Sequence, residues 1–273
     1  MIKFFRKIRQ RMVKENKISK YLLYAIGEIV LVVIGILIAL QVNNWNEERL
    51  EQKRINQYAK SLIEDLTNDI AMIEVSLFQA TKKYKYIDSL RHYTNHTLTA
   101  DLSNTFLYVV AHDILYRPYK WNRSTLNEIN SSGGLRYITN DSLQKKLVSY
   151  ESFSKHLDED FEFDKLGADK IEDQIAIILN LNSLHITKML IKENSNINDP
   201  SFNAFDSEEY KVSKANDLKL ISYDETTIQI FINSLILVQD QYRIRAFKEM
   251  PEIINDAESI INLLKQEYLL TDD

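Results

Sequence analysis

The chain has 273 residues with a net charge of −5, 45% hydrophobic content and no cysteine. That is enough apolar material for a packed core, and it excludes disulfides, thiol nucleophiles and cysteine-ligated metal sites. Charge divides unevenly: the first twenty residues hold eight basic side chains against one acid, Glu15, while the rest is strongly acidic, which disfavours nucleic acid as a partner.

In chain order, residues 1–20 read as a basic cytoplasmic tail, with Ile2, Phe5, Ile8 and Met12 at helical spacing. Residues 21–42, YLLYAIGEIVLVVIGILIALQV, form an apolar run that a helix rising ~1.5 Å per residue can carry across a ~30 Å hydrocarbon core. The basic cluster before this run predicts a cytoplasmic amino terminus under the positive-inside rule. Tyr21 and Tyr24 are expected at one membrane interface and Trp45 at the other. No small-x-small cleavage site follows the run, so it reads as a retained anchor in the inner (plasma) membrane rather than a signal peptide.

Within the run, Ala25, Glu28, Val32, Gly35, Ala39 and Val42 recur at steps of three and four and so share one face. Small residues permit close backbone approach, and a carboxyl group can hydrogen-bond across a helix seam. This face is the expected membrane-helix association site, serving a protein partner or a homo-oligomer in the lipid bilayer. The alternative is that Glu28 snorkels to the cytoplasmic headgroups.

The segment SKYLLYAIGEIVLVVIGILIALQVNNWNEER, residues 19–49, resembles the amino-terminal signature of a family of uncharacterised single-pass membrane proteins of Bacteroidetes, and STLNEINSSGGLRYITNDSLQKKLVSYE, residues 124–151, resembles that family's second block. The resemblance implies an inner-membrane anchor and a periplasmic helical domain. It brings no activity, cofactor or catalytic residue.

Residues 43–273 are expected to form that periplasmic helical-bundle domain. A long helix is predicted to continue from the anchor, with a seam of Ile55, Ala59, Leu62, Leu66, Ile70, Ile73, Leu77, Ala80, Tyr84 and Ile87, in the manner of a coiled-coil strand. A second helix is predicted over 102–116. Thr125 and Glu128 have capping-box spacing, Gly133 and Gly134 mark a helix stop, and Asn140 or Asp141 can cap a helix running toward Leu181. The block around Trp121, Arg123 and Glu128 reads first as helix-terminus chemistry and second as a candidate cleft. The stretch 194–207 reads as loop, and a last helix over 226–269 is expected to kink or break at Pro251.

The predicted fold class is all-α: one transmembrane helix continuing into an antiparallel periplasmic bundle. Asp88, His92 and His96 share a helical stripe, but three ligands on one short stripe cannot surround an ion. Asp158, Glu159, Asp160, Glu162 and Asp164 read as a solvated acidic face. No phosphate loop or hydrolase signature is present, so no catalytic, cofactor or metal residue is assigned and a non-enzyme is expected. Two functions fit: a membrane-anchored interaction module acting through protein partners, or a sensory ligand-binding bundle signalling through an associated membrane protein.

Overall fold

In the computed structural model, residues 18–96, 101–112, 114–195, 199 and 201–270 are described, and every regular element among them is helical. Residues 1–17 of the basic tail, and the side chains of Ile18, Ser19, Lys20, Tyr21, Tyr24, Asn95 and His96, lie outside the described residues. The described chain divides into two compact units, one ending at Gln57 and one beginning at Tyr58.

The first unit is helix, the amino-terminal part of α1 (Ile18–His96). It contains one stretch long and apolar enough to cross a membrane. Its large side chains are open: Leu23 is 77% exposed and even Val33 is 47% exposed. Residues 43–50 of the same helix are also exposed, now with polar side chains that bond one turn apart, as Asn43 does to Glu47.

The second unit packs the rest of α1 with α2 (Asn104–Ala111), α3 (Ser124–Ser131), α4 (Asp141–Ile178), α5 (Leu184–Ser195), α6 (Glu208–Ala215), α7 (Glu225–Ile244) and α8 (Met250–Glu267), plus short 3-10 turns at Gly134–Tyr137 and Ala204–Asp206. Helix α4 meets α8 and α7 in reversed order along the chain: Asn140 bonds Glu267, Lys146 pairs with Asp256, Asp164 with Arg245, and Gln174 bonds Ser234. All eight residues of α2 are buried, which a helix can sustain only when it is apolar on every side and closed at both ends. Ser103 caps it by accepting from the Phe106 amide, and Asp217 closes the same end, accepting from the Thr105 amide at 2.8 Å and from the hydroxyls of Ser103 and Thr105.

Three local expectations change. The predicted helix over 102–116 closes at Ala111, and residues 114–123 run without helix. The capping box at Thr125 and Glu128 does not form: Arg123 holds the N-cap position with no side-chain bond, and Asp65 from α1 accepts from the Thr125 amide at 3.3 Å instead. A tertiary carboxylate has replaced the local cap. The stretch 194–207, read as loop, carries a 3-10 turn over Ala204–Asp206, and the wider region 182–223 adds α5 and α6 on either side of it.

Other local signals hold. Gly133 ends α3 in the left-handed region at φ 68°, and Asn140 caps α4 by accepting from the Ser142 and Leu143 amides. The disturbance expected near Pro251 is a π turn over Arg245–Glu249, just before it. Proline lacks the amide that the preceding turn needs, and the Met250 amide bonds back five residues to the Arg245 carbonyl.

Candidate functional site

The seam of α1 in the second unit runs Ala59, Leu62, Leu66, Asp69, Ile73, Ser76, Ala80, Lys83, Ile87 and Leu90, all buried and spaced three and four apart. Where hydropathy selects Ile70, Leu77 and Tyr84, the buried positions are therefore their polar neighbours Asp69, Ser76 and Lys83, one every seventh residue. The reason lies in residues 112 and 114–122, whose non-helical backbone crosses this face and needs partners inside the protein. Asp69 accepts from the Asn122 amide at 2.7 Å, Gln79 accepts from the Arg117 amide at 2.9 Å, and Ser76 donates to the Arg117 carbonyl at 3.3 Å. Lys83 donates to the His112 carbonyl at 2.8 Å, and the Tyr242 hydroxyl donates to the Ile114 carbonyl. A polar ladder on α1 thus does what a neighbouring strand would do in a sheet. Burial raises the Asp69 carboxyl above its ordinary range, partly offset by its bonds to Asn122 and Tyr150.

Trp121 and Arg123 converge at the end of this segment. The Trp121 indole donates to Asp158 Oδ1 at 2.8 Å, and Arg123 donates to Asp158 Oδ2 at 2.7 Å and to Ser154 at 3.1 Å. Beneath them, against Asp65, Asp69 and Tyr150, lies a cavity of about 20 Å³, room for roughly one water. Glu128 is not part of it; exposed, it accepts from the Tyr58 hydroxyl at 3.1 Å.

The acidic run on α4 is only partly a solvated face. Glu159 and Glu162 are exposed, whereas Asp164 is fully buried and Asp160 is 21% exposed at its side chain. Arg245, at the start of the π turn, binds Asp164 at 3.0 Å, Asp160 at 3.1 Å and Glu249 at 2.5 Å. Tyr116 adds a 2.9 Å hydrogen bond to Asp164. Burial works against the charge on both members of the central pair. It raises Asp164, while at Arg245 the facing carboxylates overcome it and hold the guanidinium firmly protonated. His156, Asp160 and Glu249 bring ligand atoms within 4.8 Å of one another, but the guanidinium already sits on both carboxylates, so a metal would have to displace it. On α1, Asp88 accepts from Gln239 and His92 is exposed.

The stripe Ala25, Glu28, Val32, Gly35, Ala39 and Val42 lies in the first unit with Trp45 just beyond it. Ala25 and Glu28 are half-buried and the others are open, and a Cβ added at Gly35 would meet nothing within 4 Å.

A larger cavity, about 560 Å³, opens between α1 and the turn preceding α6. Phe78, Thr81, Lys82, Lys85, Tyr86 and Ser89 line one wall and follow the helical period on a face beside the polar seam. Phe202, Asn203 and Phe205 form the other. The sequence reading missed this site because its second wall lies in a stretch with no apolar period, and only the cluster of Phe202 and Phe205 hints that the loop is packed.

Among the described residues the chain is thus all-helical, with one candidate membrane span. Residues 28–99 match the model of a family of unknown function (DUF6090), so this quarter of the chain, from within the apolar stretch to just past the end of α1, is similar to that family. The match stops short of residues 124–151. No curated protein and no solved structure matches the chain.

Proposed function

We propose that the chain is a single-pass inner-membrane protein whose helical domain, an antiparallel bundle in the periplasm, acts through protein partners rather than by catalysis. Its amino terminus is cytoplasmic, and its family is the Bacteroidetes group that the anchor resembles. The observation that carries this reading is the exposure of the apolar stretch: among the described residues, its large side chains stay open, and Gly35 leaves room for a second backbone. Lipid can cover the apolar side chains, and a neighbouring helix is the natural occupant of the small-residue face.

The test is association in the membrane. Glu28→Leu and Gly35→Leu should each weaken a membrane two-hybrid signal, the interhelical hydrogen bond contributing about 1 kcal/mol. Leu31→Ala and Leu37→Ala, off the stripe, should leave the signal unchanged. Equal signals from all four would remove the association face and leave Glu28 as a snorkelling residue. The second reading, a sensory bundle, is favoured by the 560 Å³ cavity, which falls within the size range of small-molecule sites.

A further inference from the structure

The 560 Å³ cavity combines three features seldom found together on a merely structural surface: aromatic walls, two lysines on one side, and a back wall tied in place. The tie is Tyr86. Its ring belongs to α1 and is buried, its hydroxyl accepts from the Ala204 amide at 2.8 Å, and its face meets Phe205 with ring centroids 4.9 Å apart. Phe205 in turn stacks on Phe106 of α2 at 5.5 Å and meets Tyr210 of α6 edge-on at 5.3 Å. The turn that forms the second wall is therefore fixed to three helices, and the cavity is preformed. Preformed sites hold ligands without a fresh ordering cost.

Among the described lining residues the charged groups are two lysines. Lys82 is 9% exposed, with its ammonium 5.1 Å from the centre of the Phe202 ring and 5.6 Å from that of Tyr86. Lys85 lies one turn further on, exposed at the mouth. Asp199 is not among the lining residues; its carboxyl is held below its ordinary range first by its bonds from Ser201 and also by the charge of Lys82. Thr81, Ser89 and Asn203 supply neutral hydrogen-bonding groups along the same walls. Cations resting on ring faces, with room between aromatic walls, suit a ligand that brings its own ring and its own negative charge.

We infer that this cavity is a binding site for a small organic anion with an aromatic or similarly flat apolar body, the anionic group meeting Lys82 and Lys85 and the body lying between Tyr86 and Phe202. The inference deepens the sensory reading and rests on the same cavity, but it concerns binding alone. A ligand that binds without altering association of the membrane helix would keep the site and end the signalling role.

The experiment uses the full chain in lipid nanodiscs, titrated calorimetrically with three probes of one shape: naphthoate, naphthalenemethanol and naphthylmethylammonium, each against empty nanodiscs. Naphthoate should bind saturably, in the millimolar range or tighter, ahead of the alcohol and with the ammonium weakest. Losing a charge-assisted contact should weaken naphthoate about tenfold in Lys82→Gln/Lys85→Gln while altering the alcohol little. Thr81→Trp, which fills the cavity and keeps both charges, should abolish binding of every probe. Should the double variant fail to fold by circular dichroism, Lys85→Gln alone and Thr81→Trp decide the matter. Heats no larger than those of empty nanodiscs, equal affinity for the three probes, or naphthoate binding untouched by these variants would each overturn the site.

Discussion

Arg245 faces three carboxylates from a position 6% exposed, and the energetics of such a cluster depend on what is removed. Taking away the cation leaves Asp164 wholly buried without its charge partner, and breaking a buried pair in this way typically costs about 3–5 kcal/mol. Arg245→Met should therefore lower the urea-unfolding free energy of the full chain by about that amount, whereas Arg245→Met/Asp164→Leu should recover a good part of the loss. A cost below about 1 kcal/mol for the single variant would mean that water screens the cluster as it does a surface pair. At this scale the sequence is a poor guide. Asp158, Asp160 and Asp164 stand among exposed acids of identical type, and only their offset along the helix, toward the face of Leu157 and Phe161, separates core from solvent. Asp69, Ser76 and Lys83 are hidden for the same reason: a hydropathy pattern scores what is apolar, while these positions are buried because a neighbouring backbone needs their polar atoms.

Elements were legible where their signals are local. Asn140 caps α4 through amides two and three residues away, and Gly133 takes a conformation that side chains with a Cβ avoid, so both can be read from neighbours alone. Asn140→Ala and Gly133→Ala should each cost about 1 kcal/mol in thermal or urea unfolding. At Gly133 the cause would be backbone strain alone, since the site has open space around it. The start of α3 was misread because its capping carboxylate, Asp65, lies sixty residues upstream. The π turn is an intermediate case. Buried positions on α7 recur at Ile228, Leu235 and Tyr242, and on α8 at Met250, Ala257 and Leu264. The interval is seven residues throughout except across the π turn, where it is eight. That one-residue skip in phase is visible in the sequence, and the wider turn absorbs it so that both helices keep their apolar faces on the core.

For the whole molecule, the proposed topology is the statement most easily put at risk. Ser19→Cys and Thr226→Cys, each a unique thiol in a chain without cysteine, should differ when intact spheroplasts meet an impermeant maleimide: Thr226→Cys labels, Ser19→Cys does not. The opposite pattern would invert the orientation. The all-helical class was plain from few glycines and prolines and sustained three-four spacing; the order of packing was not, because it is decided by pairs far apart in the chain. Those pairs also set a clock. The buried groups of α1 wait for Asn122, then for Tyr150, then for Ala204, and finally for Gln239, which reaches the Tyr84 carbonyl from 155 residues downstream. At a synthesis rate of about 5–20 residues per second, the last of these bonds, from Gln239 to the Tyr84 carbonyl, has no donor until roughly 8–30 seconds after Tyr84 is made. During that time the nascent domain is open to proteases and to wrong partners, and it closes only after nearly the whole chain has been made.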